Sequence, residues 1–196
     1  MALKQTPSQT VGPFFSFGLA PEQYGYAFAS LAGSQLADAS TAGQRIRITG
    51  RLLDGEGTIL NDALIEIWQA DAEGRYAHPA DSRSSNAGFK GFGRMGTGTD
   101  PERRFIFDTV MPGATAGDGA PHVNIIVFAR GMLNHLYTRL YFEDQAEANA
   151  RDPVLQGLPA DRRATLIARR DRQSAERVYT FDIRLQGDNE TVFFDV

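Results

Sequence analysis

Residues 45–53 read Arg45-Ile46-Arg47-Ile48-Thr49-Gly50-Arg51-Leu52-Leu53. Successive side chains of an extended chain point to opposite faces, so Ile46, Ile48 and Leu52 share one face and Arg45, Arg47 and Arg51 the other. That is a half-buried strand with a wet outer side. The turn Asp54-Gly55-Glu56-Gly57 follows, and residues 63–69 (Ala-Leu-Ile-Glu-Ile-Trp-Gln) read as a second strand. Further strands are expected at 104–109, 122–130, 135–142, 177–186 and 190–195, each rich in β-branched and aromatic residues. So many short strands broken by Gly and Pro predict a mainly β chain, folded as an antiparallel sandwich.

Two stretches break the pattern. Residues 143–171 carry Ala, Gln, Glu, Leu and Arg at helical spacing, cut by Pro153 and Gly157-Leu158-Pro159, and predict two short inserted helices. Within them Arg162, Arg163, Arg169, Arg170 and Arg172 alternate with Asp161 and Asp171, the pattern of a helix's wet face. Residues 78–102 are rich in Gly, Ser and Asp and read as a long loop. No repeat or low-complexity linker divides the chain. One domain is expected over 1–196, with 1–44 as an arm and interface segment and 45–196 as the sandwich.

Composition narrows the chemistry. The chain has 196 residues and no cysteine, which excludes disulfides, thiolate metal sites and a cysteine nucleophile. A chain of this size buries roughly 70% of its unfolded surface, enough for a core without such staples. Only three histidines are present, His78, His122 and His135, so a three-histidine site would need all of them. Lys and Arg number 20 against 24 Asp and Glu, a net charge of −4 that offers nothing to a phosphate backbone. No nucleic-acid partner is expected. No run approaches the ~18 apolar residues of a membrane span, and the N-terminus has no apolar core of a signal peptide. The expectation is a cytoplasmic protein with no membrane partner.

Three motifs need weighing. Gly91-Phe92-Gly93-Arg94-Met95-Gly96 matches the glycine spacing of a dinucleotide loop, but no helix follows to hold a pyrophosphate. The stretch 122–130 puts Val123, Ile125, Val127 and Ala129 on a core face. Its other face carries His122, Asn124, Ile126, Phe128 and Arg130. Two imidazoles at i and i+2 would aim at one metal, but the second place is Asn124, a poor transition-metal ligand. His122 alone reads as a hydrogen-bonded structural residue. Eight residues at about 3.3 Å each also separate His122 from Arg130 by roughly 26 Å, too far to share one small ligand. Finally, Phe14, Phe15 and Phe17 lie in an arm rich in Gly and Pro without helical or strand period. They cover either this chain's own core or a partner.

Several blocks together resemble the intradiol ring-cleaving dioxygenases. They are Thr6-Pro-Ser-Gln-Thr-Val-Gly-Pro-Phe14, Ile65-Glu-Ile-Trp-Gln-Ala-Asp71, Gly74-Arg-Tyr76, Ala120-Pro-His-Val-Asn-Ile125, Phe128-Ala-Arg-Gly131 and Thr138-Arg-Leu-Tyr-Phe142. The ending 181–195 is similar to one branch, in which an alpha chain pairs with an iron-bearing beta chain. The resemblance spans nearly the whole chain. It implies a β-sandwich with helical insertions and an enzyme that opens a catecholic ring with O2 on non-haem Fe(III) held by two Tyr and two His. By the same resemblance Tyr76 stands where the first Tyr belongs, and His122 and Asn124 where the His pair belongs. The turn that should lead to the second Tyr reads Pro112-Gly113-Ala114-Thr115-Ala116, without one.

Ferric iron is hard and highly charged, and two phenolates keep it ferric. One Tyr and one neutral His supply too few donors. The expectation is therefore no catalytic residue and no metal in this chain alone. Tyr76, His122 and Asn124 become vestigial positions, with Tyr76 and His122 hydrogen-bonded in the core, and Fe(III) is held by the partner beta chain. The resemblance also implies that Thr10, Gly12, Pro13 and Arg130 help line the partner's substrate pocket. The alternative is a non-enzymatic β-sandwich that binds or assembles through its aromatic arm as a homo-oligomer. A third is a spacer that only supports assembly.

Overall fold

The computed structural model describes residues 3–115, 117 and 119–196. Its strands are β1 (Arg45–Gly50), β2 (Leu52–Leu53), β3 (Leu64–Gln69), β4 (Phe92–Gly96), β5 (Phe105–Val110), β6 (His122–Phe128), β7 (Leu136–Phe142), β8 (Ile167–Asp171), β9 (Val178–Thr180) and β10 (Ile183–Arg184). Eight of them form one sheet in the order β4-β3-β6-β7-β8-β9-β1-β5, and β10 pairs with β2.

The mainly β expectation holds, but the antiparallel sandwich does not: the sheet is mixed. β7 with β8, β1 with β9, and β2 with β10 run parallel. Parallel neighbours need a crossover of a dozen or more residues. The helical insertion between β7 and β8 supplies one, through α2 (Ala146–Arg151), α3 (Pro153–Gln156), α4 (Ala160–Arg163) and flanking 3₁₀ turns.

The sheet curls until its two outermost strands, β4 and β5, nearly meet, like an almost closed barrel. The Ile106 N–H points at the Met95 sulfur, 3.0 Å away. Residues 33–36 seal the seam, with the Leu36 side chain buried in the core. Gly33 accepts from the Arg94 N–H at 3.0 Å, Ser34 accepts from the Asp108 N–H at 2.9 Å, and the Leu36 N–H donates to Asp108 at 2.9 Å. Gln23 completes it by matching both backbone groups of Gly96, at 2.8 and 2.6 Å. Backbone groups at the seam therefore find partners without direct β4–β5 pairing.

Period-2 alternation places the core. Ile46 and Ile48 of β1, Ile65 and Ile67 of β3, Phe105 and Phe107 of β5, and Val123, Ile125 and Val127 of β6 all point inward and are buried. A second cluster, with Tyr141, Leu155, Leu166 and Val192, sits under the helical insertion.

Three further expectations are corrected. The stretch 78–102 is not all loop, because 92–96 is strand β4. Its glycines, which hid the strand, make room for the seam: a Cβ on Gly93 would come within 2.5 Å of the Leu36 side chain. The arginine run is not one helix face. Arg162 and Arg163 end α4, while Arg169 and Arg170 lie in β8, whose pairing with β7 and β9 is non-local. Residues 190–195 contribute one bridge, between Phe194 and Tyr137, rather than a strand. In the arm, residues Phe15–Leu19 form a short helix, α1. Phe17 stacks edge-on to Tyr24 at 4.7 Å, while Phe14 remains 72% exposed. Among the described residues no helix is long and apolar enough to cross a membrane.

Candidate functional site

Four adjacent strands set a row of side chains across the outer face of the sheet. Phe92 of β4 faces Trp68 of β3, Trp68 faces Asn124 of β6, and Asn124 faces Arg139 of β7. Two residues along, the row is Arg94, Glu66, Ile126 and Tyr137. Opposed residues have Cβ atoms about 5 Å apart, so these side chains form one continuous surface. Tyr76, His78 and Phe194 close over it, giving a cleft of about 860 Å³.

Tyr76 is placed by the turn after β3. Asp71 is fully buried and accepts from the N–H groups of Glu73, Arg75 and Asn86 at 2.9–3.0 Å and from the Arg75 guanidinium at 3.0 Å. Gly74 turns the chain at φ +75°, where a Cβ would lie 2.0 Å from the Ala114 carbonyl oxygen. Gly113 is equally tight, since its Cβ would come within 2.5 Å of the Ala72 carbonyl oxygen. The two loops at which the resemblance leads one to expect tyrosines thus pack backbone to backbone. Only one brings a phenol, and Ala116 of the other lies outside the described residues.

Burial raises the Tyr76 phenol above its ordinary value, while a hydrogen bond with Asn124 and the charge of Arg139 pull it back. The phenol is therefore protonated at neutral pH. His122 is buried, and its Nδ1 lies 2.8 Å from the Ala120 carbonyl, which assigns the ring proton to Nδ1. Burial lowers its imidazole below the ordinary value, opposed by that carbonyl and assisted by Arg139. His122 sits in the core as expected. Tyr76 does not: it is half-buried in the cleft wall, as is Asn124.

These residues do not fit ferric iron. A neutral phenol and a neutral imidazole are the available donors, because the Asn124 carbonyl oxygen already accepts from the Arg139 guanidinium at 3.1 Å. A fixed cation beside the donors opposes a trivalent one. Among the described residues no group of three or more His, Asp or Glu side chains could hold a metal instead.

The other expected positions lie elsewhere. Arg130 follows β6 and pairs with Asp62. The Thr10 hydroxyl accepts from the Gly131 N–H at 2.8 Å, which brings the arm beside Arg130. Gly12 and Pro13 are exposed, and nothing lies within 4 Å of where a Gly12 Cβ would sit. None of these four lines the cleft. Sequence reasoning missed Arg139, Tyr137 and Trp68 as cleft residues. The signal available was one arginine standing alone inside the otherwise apolar or neutral run Leu136–Phe142.

The geometry agrees with the comparisons. A family model described as Dioxygenase matches residues 20–187. The chain is 51% identical to the protocatechuate 3,4-dioxygenase alpha chain of Burkholderia cepacia, over 99% of this chain and 98% of that one. It is 36% identical to the beta chain of the same enzyme from that organism, over 76% of this chain and 67% of that one. Its fold matches the dioxygenase domain of a dioxygenase–carbohydrate-binding fusion from Streptomyces sp. SirexAA-E, with a TM-score of 0.58 at 21% identity, over 93% of this chain and 99% of that one. Sheet, turns and sequence agree, and the chain belongs to the intradiol ring-cleaving dioxygenase family.

Proposed function

We propose that this chain is the alpha subunit of a protocatechuate 3,4-dioxygenase and works only beside an iron-bearing beta chain. The observation that carries the reading is its full-length similarity to a named alpha chain combined with a cleft that lacks ferric donors. In the reaction, O2 enters the ring bond between the two hydroxyl-bearing carbons. Both oxygen atoms stay in the product, 3-carboxy-cis,cis-muconate. Fe(III) belongs to the beta chain, and the compartment is the cytoplasm. In this reading 1–44 is the interface segment of a single domain.

The surface supports a partner. The chain exposes 11102 Å², against roughly 9,200 Å² expected for its mass. Phe14, Tyr26, Phe28 and Leu31 account for part of the excess, at 72%, 46%, 59% and 101% exposure. Thr10, Gly12, Pro13 and Arg130 are all exposed, two of them joined through Gly131, at the edge of this apolar arm. Gly12 keeps its backbone bare for a planar aromatic ring. Arg130 brings positive charge, part-neutralised by Asp62, to the partner's pocket.

Purifying the chain alone and with its beta chain tests this. The mixture is expected to show tyrosinate-to-iron colour and ring cleavage, and the single chain neither. An iron-replete, coloured, active single chain would overturn the reading. In the complex, Arg130→Ala is expected to lower kcat/KM about tenfold at unchanged iron content, the size of one lost charged hydrogen bond. Parallel loss of iron and activity would instead assign Arg130 to assembly.

A further inference from the structure

The cleft that cannot hold iron still has the makings of a ligand site. Its volume, about 860 Å³, is that of a small-molecule pocket. The rings of Trp68, Tyr76, Phe92, Tyr137 and Phe194 line it. Arg139 is half-buried among them and has no carboxylate partner among the described residues. Its Nε is held by Asn124 at 3.1 Å, and Phe194 lies 6.0 Å from the guanidinium carbon, so the fork is fixed in direction. The guanidinium also donates toward the buried Tyr141 hydroxyl, and the N–H groups left over on its terminal nitrogens border the cleft.

Two of the three other acidic side chains lining the cleft are already paired. Glu66 pairs with Arg94 at 2.6 Å and Asp81 with Arg83 at 2.8 Å, leaving Asp195 as an exposed carboxylate at the rim. Planar rings select an aromatic body. A directed guanidinium selects a carboxylate, which it grips through two parallel hydrogen bonds. We propose that this cleft is a metal-free binding site for an aromatic carboxylate, with Arg139 holding the carboxylate and Trp68 and its neighbouring rings the arene.

The site uses this chain's residues alone and does not depend on an iron-bearing partner. The test is calorimetric titration of benzoate into the assembled complex, wild type and Arg139→Gln. One class of sites, one per copy of this chain, is expected to weaken about tenfold to a hundredfold in the variant. Arg139→Lys, which keeps the charge and loses the fork, should fall between. Benzyl alcohol, with the ring but no charge, should not occupy this class. Benzoate binding that is unchanged in both variants, or matched by benzyl alcohol, would overturn the proposal. So would an iodine peak from bound 4-iodobenzoate that lies only at the partner's iron site. Failure of the subunit assignment would appear separately, as an assembly without iron colour that still carries the Arg139-dependent class.

Discussion

Asp71→Ala is expected to lose about 3–5 kcal/mol of folding stability, because it leaves three part-buried N–H groups and a guanidinium without their buried acceptor. The carboxylate is the knot of the turn that carries Tyr76, so the damage should be local first. Hydrogen exchange of residues 71–86 should rise before the barrel opens. Its titration gives a second handle. Burial pushes the Asp71 carboxyl up, but backbone hydrogen bonds from Arg75, Asn86 and Glu73, with the Arg75 side chain, outweigh it and hold the group below its ordinary value. A depressed folded value means the stabilisation is complete above the unfolded value of about 3.9 and fades as pH falls through the folded one. Wild type and Asp71→Asn should therefore differ most near neutral pH and converge in acid. A pH-independent gap in denaturation midpoint would show that the charge is irrelevant to the turn.

Leu36→Ala should remove about 2–5 kcal/mol, the range for emptying a fully buried leucine site. Leu36 is 0% exposed, and its side chain fills the space that Gly93 leaves open. The backbone bonds of residues 33–36 are untouched by the substitution, so the experiment separates side-chain packing from hydrogen bonding at the seam. Leu36→Met, close in volume, should cost less than about 1.5 kcal/mol. If urea denaturation finds both variants within a few tenths of wild type, the backbone bonds alone close the barrel.

Local pattern revealed what is local. Val123, Ile125 and Val127 alternate visibly with His122, Asn124 and Ile126, and the structure buries the first set in the core. The missing donors at Asn124 and in the turn 112–116 were likewise plain in the residues themselves. What the sequence withheld depends on partners far along the chain. Strand β4 is rich in glycine because Leu36 and Tyr24 press against it, so its composition imitates a loop. In β8, Ala-Arg-Arg suits a helix, and only the crossover that lays it beside β7 makes it a strand. Arg139 became significant once register placed it opposite Asn124, in a row that begins at Phe92.

The strap at the barrel seam has a consequence for how this chain tolerates change. Because residues 33–36 and Gln23 bond backbone groups of Arg94, Gly96 and Asp108, the described residues leave no continuous open ladder at this seam for another molecule to extend. In the proposed subunit reading, recognition is left to exposed side chains such as Phe14 and Phe28, which the core does not use. Solubility and partner choice can thus drift under selection, one aromatic at a time, without any toll on the barrel behind them.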